Sequence, residues 1–176
     1  IKKLFRSIPA RLKFLKSDRS ESLAILDVVK KLALSNSSVS FKLFELRENK
    51  KTRAILSLEV ESGKNSFSER ISSVLNNSFI ENSHLVSDEK EGIKVFGYIS
   101  SPTYTTGTSV NNHFYVNGRY VKDRQLFSFV RRSYGDTIPK DRFPSVILYL
   151  SVPRSTIDIN VHPSKLEVKF REPREI

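Results

Sequence analysis

The sequence of 176 residues contains no cysteine and no methionine. The absence of cysteine excludes a disulfide scaffold and a thiolate metal site. The absence of methionine removes even an initiator residue, so we expect a piece of a longer protein. No apolar run approaches the roughly 20 residues that a membrane-spanning helix needs, and no signal-peptide core follows the basic start. We therefore expect a soluble, intracellular protein.

The charge is strongly positive and unevenly distributed. The formal net charge is +11, in a chain that is 38% hydrophobic and 28% charged, a composition typical of a globular protein with one good core or two small ones. Residues 1–16 carry six cations and no acid, and residues 117–142 carry seven cations and three aspartates. Such clustering favours a polyanionic partner, although a solvated basic surface would have the same composition.

Hydrophobic periodicity divides the chain into two unequal parts. The run Asp18-Arg19-Ser20-Glu21 resembles a capping box and predicts a helix to about Leu34. Its apolar side is expected to pack on another element, with Asp27, Lys30 and Lys31 on the opposite side. The remaining predictions are two strands (39–47 and 53–60), a boundary at Gly63–Ser66, a helix (67–75), a segment 80–86, an acidic turn (87–92) and strands at 93–99, 145–152 and 157–161.

The strongest local signal is a hairpin followed by a helix. The dipeptide Asn117-Gly118 separates two strand-like segments and is typical of a type I′ turn. Asp123 is a suitable N-cap for a helix from Arg124 to about Tyr134, whose first turn would offer backbone N–H groups and a positive dipole end. Arg119, Lys122 and Arg124 would lie at that end, which predicts contacts with phosphate.

A second motif lies between residues 157 and 170. Apolar residues alternate with polar ones on both sides of Pro163-Ser164, so Lys165 is predicted at the tip between two strands, where its cation would be aimed at an anion. The polar face of this run would equally suit a solvated sheet. A metal site at Asp158, Asn160 and His162 lacks a second ligand cluster. A catalytic triad of Ser164, His162 and Asp158 lacks a nucleophile elbow.

Three stretches together resemble the MutL family of DNA mismatch-repair proteins. They are the run from Leu4 to Lys16 that contains Pro-Ala-Arg-Leu-Lys-Phe-Leu, the Tyr-Val-Asn-Gly-Arg run that ends at Arg119 with Asp123-Arg124, and the Asn-Val-His-Pro-Ser-Lys run that ends at Lys165. They span nearly the whole chain in the family's order. One departure is Ser7-Ile8, where most relatives carry Asn-Thr, so a direct role of position 8 at the nucleotide is in doubt.

The resemblance implies an α+β fold in two domains. Residues 1–62 would be the C-terminal part of a GHKL ATPase domain, and residues 63–176 the transducer domain. The transducer would be a two-layer mixed β-sheet with helices, with a left-handed βαβ crossover and a ribosomal-protein-like fold. The family's γ-phosphate-sensing lysine corresponds to Lys165, and its DNA-contacting arginines correspond to Arg119 and Arg124.

The resemblance also implies partners and cofactors for the parent protein. These are ATP and Mg²⁺, DNA, the mismatch-recognition protein MutS, and a second MutL-type subunit in a homodimer or paralogue heterodimer, with no membrane. The parent would be cytoplasmic in a bacterium and nuclear in a eukaryote. The family's water-activating glutamate and Mg²⁺-binding asparagine precede residue 1, so this chain alone is expected to bind neither cofactor and to lack a complete catalytic site.

Alternative functions remain open at this point. One is a basic nucleic-acid-binding domain of the same fold in a ribosomal or RNA context, which would use the hairpin cations but would not need Lys165. Another is the second domain of a topoisomerase or chaperone relative in the GHKL group, although the Asn-Val-His-Pro-x-Lys run argues against it. A further alternative is a parent MutL protein that also nicks DNA through a C-terminal domain.

Overall fold

The computed structural model describes residues 5–46, 52–60, 63, 66–158 and 168–170. The first part of the chain contains the short helix α1 (Pro9–Leu12), the long helix α2 (Asp18–Ser35) and a hairpin of β1 (Phe41–Glu45) and β2 (Arg53–Leu58). The N-cap of α2 is Ser17, whose hydroxyl accepts from the Ser20 backbone N–H. The predicted capping box at Asp18 was therefore wrong by one residue, because the preceding serine is an equally good cap.

The second part is a mixed α+β structure around a five-stranded sheet. Helices α3 (Ser66–Val74) and α4 (Asn77–Glu81) lead into β3 (Ser83–Lys90) and β4 (Ile93–Ser100). The remaining elements are β5 (Thr105–Thr106), β6 (Asn112–Val116), β7 (Arg119–Val121), α5 (Arg124–Tyr134), β8 (Phe143–Pro144), β9 (Val146–Ser151), β10 (Ile157–Asp158) and β11 (Lys169–Phe170).

The strand order of this sheet is β3-β4-β9-β6-β7. Strands β6 and β9 are parallel, whereas the other pairs are antiparallel, so the sheet is mixed as predicted. The connection from β6 to β9 passes through β7 and α5. The handedness of this crossover stays a prediction.

The predicted acidic turn at residues 87–92 was wrong. Strand β3 continues through Asp88 and Glu89 to Lys90, and only Glu91 and Gly92 form the turn. These charged residues lie on an edge strand of the sheet, where their side chains reach water. Their charge also discourages the edge from pairing with another chain.

Two apolar clusters form the core, one on each face of the sheet. One consists mainly of residues from β6, β7, β9 and α5, together with Ile157, Val168 and Phe170. The other joins Ala33 and Leu34 of α2 and Leu58 of β2 to α3, α4, Tyr115 and Ile147. This second cluster crosses the predicted boundary near Gly63, so the first part of the chain shares its core with the sheet.

A row of aromatic rings crosses the sheet beneath α2. Phe96, Tyr149, Tyr115 and Tyr120 occupy directly paired positions on β4, β9, β6 and β7. The rings of Tyr115 and Tyr149 stack with centroids 4.6 Å apart. Their hydroxyls donate to backbone carbonyls of α2, from Tyr115 to Lys31 at 3.0 Å and from Tyr149 to Leu34 at 2.6 Å. The row therefore fixes the end of α2 on the sheet.

Candidate nucleic-acid interface

The β6–β7 hairpin is held in place by its turn. Asn117 and Gly118 both have positive φ, at 48° and 78°, as the type I′ prediction requires. The Asn117 side chain donates to the Val152 carbonyl at 3.0 Å and accepts from the Val152 N–H at 2.9 Å. These two bonds imitate strand pairing and attach the turn to the chain beyond β9. Arg119, which starts β7, is exposed on this anchored turn.

Helix α5 begins beside the hairpin, as predicted. Asp123 is its N-cap, and its Oδ1 accepts from the N–H groups of Gln125 at 2.8 Å and Leu126 at 2.9 Å. The first-turn N–H groups that the sequence offered to a phosphate are thus partly occupied by Asp123. The exposed cations Lys122 and Arg124, rather than the bare helix end, remain available for an anion.

An open groove of about 1140 Å³ lies at this corner of the sheet. Its lining includes two of the predicted residues, Lys122 and Arg124, together with Asp123. Arg119 does not line the groove and lies outside it at the start of β7. The structure therefore brings together two of the three cations that the sequence assigned to nucleic acid.

Two further cations in the lining were not predicted. Lys31 comes from α2, and Lys169 comes from β11. The apolar periodicity of α2 predicted Lys31 on the side opposite the packed residues, but its side chain is only 15% exposed. One sequence signal could have indicated that the Lys31 side chain is held in place: Asp27 and Lys31 are four positions apart, a spacing at which helical residues form ion pairs.

Tyr120 of the groove lining and the neighbouring His113 are both shielded from solvent. Burial raises the pKa of Tyr120, against the opposing effect of the nearby Lys31 cation. Burial also lowers the pKa of His113 to about 4, and the positive charge of Lys31 adds to this effect. Nδ1 of His113 has no hydrogen-bond partner in the part of the chain that the structure describes. His113 is consequently neutral at physiological pH.

We expect this histidine to make the fold sensitive to acid. The unfolded chain protonates His113 near pH 6.5, whereas the folded chain excludes that proton down to about pH 4. Its stabilising contribution is therefore complete above about pH 6.5 and is lost as the pH falls toward 4. Between pH 7 and pH 5 we expect a loss of about 2 kcal/mol, measured by urea unfolding. An equal loss in His113→Gln would contradict this assignment.

The nucleotide-site prediction, Lys165, lies outside the described residues. The ends of its motif lie within them: Ile157 pairs with Phe170 and Asp158 with Lys169 in an antiparallel bridge. Ile157, Val168 and Phe170 are buried, as their alternation predicted. Near the start of the chain, Ile8 is the N-cap residue of α1, and its side chain makes no capping hydrogen bond.

The described part of the chain offers neither a metal-binding cluster nor a membrane-spanning helix. No group of three or more histidine or acidic side chains within residues 5–46, 52–60, 66–158 and 168–170 is placed to hold a metal ion. No helix in the same ranges is long and apolar enough to cross a membrane.

The part of the chain that carries the β6–β7 hairpin and α5 matches a known family. Residues 71–176 match the family model described as DNA mismatch repair protein, C-terminal domain. The chain belongs to the DNA mismatch-repair protein family. Over 98% of its length it is 39% identical to the DNA mismatch repair protein MutL of Brucella anthropi, and 38% identical to that of Caulobacter vibrioides. It spans 27% and 26% of those proteins, about a quarter of each.

Solved structures agree with this membership. The chain is similar to the N-terminal domain of a DNA repair protein, with a TM-score of 0.72, 26% identity, and coverage of 94% of this chain and 53% of that one. It is also similar to the Aquifex aeolicus MutL ATPase domain complexed with ADP, with a TM-score of 0.63, 27% identity, and coverage of 87% and 51%. The resemblance to the MutL family and the mixed α+β fold class are both confirmed.

Proposed function

We propose that this chain is part of a MutL-type mismatch-repair ATPase and presents a basic groove to DNA. The observation that carries the proposal is the position of Lys122 and Arg124 in one groove, with Arg119 exposed on the adjoining strand. Side chains of this type contact phosphates, which fixes a protein on DNA without reading base sequence. The family membership makes DNA the appropriate polyanion.

The acidic residues of the groove are outnumbered, because its lining carries two carboxylates, Asp27 and Asp123, against four cations: Lys31, Lys122, Arg124 and Lys169. Asp123 uses Oδ1 to cap α5, so that oxygen is already engaged by two backbone N–H groups. Asp27 forms an ion pair with Lys31. The cations Lys122 and Arg124 therefore retain their attraction for phosphate, and their effect is expected to weaken with salt.

We assign residues 1–62 to the last part of an ATPase domain and residues 63–176 to a transducer domain. Exposed apolar side chains of α2 support this assignment, because Leu23, Ile25, Val28 and Leu32 are between 50% and 58% exposed. Ile25, Val28 and Leu32 are three and four positions apart and share one face of the helix, and an exposed apolar face normally meets a partner. Because the relatives are about four times longer, the rest of the ATPase domain is the proposed cover.

The nucleotide role of the parent protein extends this proposal. Lys165 would sense the γ-phosphate of ATP, and ATP binding by the parent would close a dimer and bring the groove onto DNA. Mg²⁺, MutS and a second MutL-type subunit belong to the same proposal. Its support is the sequence resemblance at Lys165 and the similarity to a MutL ATPase domain that was solved with ADP.

The DNA groove is tested by fluorescence anisotropy with labelled duplex DNA over a salt series. We expect Arg119→Glu/Arg124→Glu to weaken binding at least 10-fold at low salt. The slope of log affinity against log salt should flatten by about 2, because each phosphate contact contributes about one unit. Circular dichroism should remain unchanged, since both side chains are exposed.

A matched control changes net charge by the same amount elsewhere. Lys140 and Arg154 are exposed and do not line the groove, so Lys140→Glu/Arg154→Glu should keep the slope of the unmodified chain. If both double variants weaken binding equally with unchanged slopes, the basic excess is a solvated surface and the proposed groove is wrong.

A further inference from the structure

Helix α2 forms a second wall of the groove, opposite the hairpin cations. Asp27 and Lys31 lie one helical turn apart and both line the groove. The backbone of this turn is fixed, because the Lys31 carbonyl accepts from the Tyr115 hydroxyl at 3.0 Å. The α2 wall therefore cannot move away from the groove without breaking a contact to the sheet.

The Lys31 ammonium is held between two partners. Nζ lies 2.5 Å from Oδ2 of Asp27 and 4.6 Å from the centre of the Tyr120 ring. The Lys31 side chain is 15% exposed, whereas that of Asp27 is 55% exposed. The cation is thus positioned at the groove floor, and its acidic partner is the more solvated member of the pair.

The two acids of the groove differ in what they do for the fold. Asp123 caps α5 through two backbone N–H groups, so its loss would disturb a helix. Among the described residues, the side chain of Asp27 forms an ion pair with Lys31 on the same helix. An ion pair of this kind between residues four apart is weak, because water and salt screen the solvated carboxylate.

We propose that Lys31 is an additional phosphate-binding cation of the groove, and that a nucleic-acid phosphate takes the place of Asp27 beside it. A nucleic-acid strand that lies in the groove would have Lys31 on one wall and Lys122 and Arg124 on the other. Asp27 holds the ammonium in position until then and competes with the phosphate. This inference rests on the proposed function, since it concerns the same groove.

One consequence is that DNA joins the two parts of the chain. Lys31 belongs to the part assigned to the ATPase domain, whereas Lys122 and Arg124 belong to the transducer part. A ligand that spans both walls binds best when α2 is docked on the aromatic row. The affinity for DNA therefore reports the docking of α2, through the free-energy coupling that any shared site imposes.

Two single substitutions should have opposite effects on DNA affinity. In the anisotropy assay with labelled duplex DNA, we expect Lys31→Gln to weaken binding 3- to 10-fold and to flatten the salt slope by about 1. Asp27→Asn should instead strengthen binding about 3-fold, because it removes a competing negative charge and leaves Lys31 in place. Lys30→Gln and Asp136→Asn are the matched controls, since neither residue lines the groove.

A purely structural ion pair gives a different pattern. Both substitutions would then lower the melting temperature by similar amounts and would move affinity in the same direction or not at all. That result overturns the inference. If Lys31→Gln does not fold, Asp27→Asn decides alone, because weaker or unchanged binding contradicts competition with phosphate.

The failure of this inference is distinct from the failure of the proposed function. If Arg119→Glu/Arg124→Glu flattens the salt slope but the α2 variants leave it unchanged, the groove binds DNA without Lys31. If the double variant has no effect, the groove itself is rejected and with it the role of Lys31.

Discussion

Replacement of Gly97 by alanine should abolish stable folding of the sheet. Gly97 lies in the middle of β4 with φ at +150°, between Val86 of β3 and Leu148 of β9. An added Cβ would lie 2.0 Å from the Ile147 carbonyl oxygen and 3.0 Å from the Leu148 Cα. These are backbone atoms of the neighbouring strand, so no side-chain rotation relieves the overlap. We expect a loss of more than about 4 kcal/mol, a large part of the stability of a typical domain.

Gly118→Ala is the matched variant, because it introduces backbone strain without a steric clash. Gly118 also has positive φ, at +78°, but an added Cβ there meets nothing within 4 Å. Gly118→Ala should therefore lose only about 1 kcal/mol, the usual cost of a side chain in the left-handed region. Thermal unfolding of the two variants makes the comparison. Equal melting temperatures would mean that β4 and β9 separate enough to accept a methyl group.

The local features of the candidate site were predictable from sequence. Asn117-Gly118 has the conformational preference that a two-residue turn requires, and Asp123 has the side chain that a helix start requires. The turn and the helix cap each form between residues a few positions apart, so both interacting residues can be recognised in the sequence. The placement of Lys122 and Arg124 beside the start of α5 follows directly from them.

The groove itself was not predictable, because its walls come from distant segments. Lys31 reaches it only because α2 packs over the aromatic row, where Tyr115 lies 84 positions further along the chain. Alternation in a strand tells which side chains share a face, but not which strand is the neighbour. The insertion of β9 between β4 and β6 therefore had no local signal.

Helix α2 illustrates the same limit for burial. Its apolar side was predicted to be packed, and the sheet instead receives Ala33, Leu34 and the Lys31 side. Hydrophobic periodicity reports that a face needs a partner, without saying which structure provides it. Here the sheet binds the end of the helix, and the broad apolar side is the surface we assign to the rest of the ATPase domain.

Arg70 provides a fully buried connection between the two parts of the chain. It lies on α3 with 0% exposure, and sequence reasoning missed it because arginine is rarely buried. Its Nη2 donates to three backbone carbonyls, those of Ser37 at 2.9 Å, Val39 at 2.8 Å and Glu59 at 2.7 Å. Val39 precedes β1 and Glu59 follows β2, so one nitrogen closes the open end of that hairpin.

Two opposing terms decide how much this arginine stabilises the fold. Hydrogen bonds from a charged donor contribute about 1.5–3 kcal/mol each. Against them, Nε and Nη1 have no hydrogen-bond partner among the described residues, so part of the cost of burying the guanidinium is not offset. Nη2 has two N–H groups for three carbonyls, whereas Nε and Nη1 together leave three N–H groups without a partner among the described residues. The larger effect of a substitution is therefore the loss of a donor for the carbonyls of Ser37, Val39 and Glu59.

Arg70→Met should therefore destabilise the chain by about 3 kcal/mol in urea unfolding, although methionine keeps most of the buried aliphatic volume. The loss should be local at first: amide hydrogens of β1 and β2 should exchange faster, while those of β6 and β9 keep their protection until global unfolding. Arg70→Lys is the matched variant, since its ammonium keeps the charge and can still donate to carbonyls, and it should recover part of the stability. If Arg70→Met is as stable as the unmodified chain, the unpartnered N–H groups cancel the three bonds, and the shared apolar core alone holds the first part of the chain on the sheet.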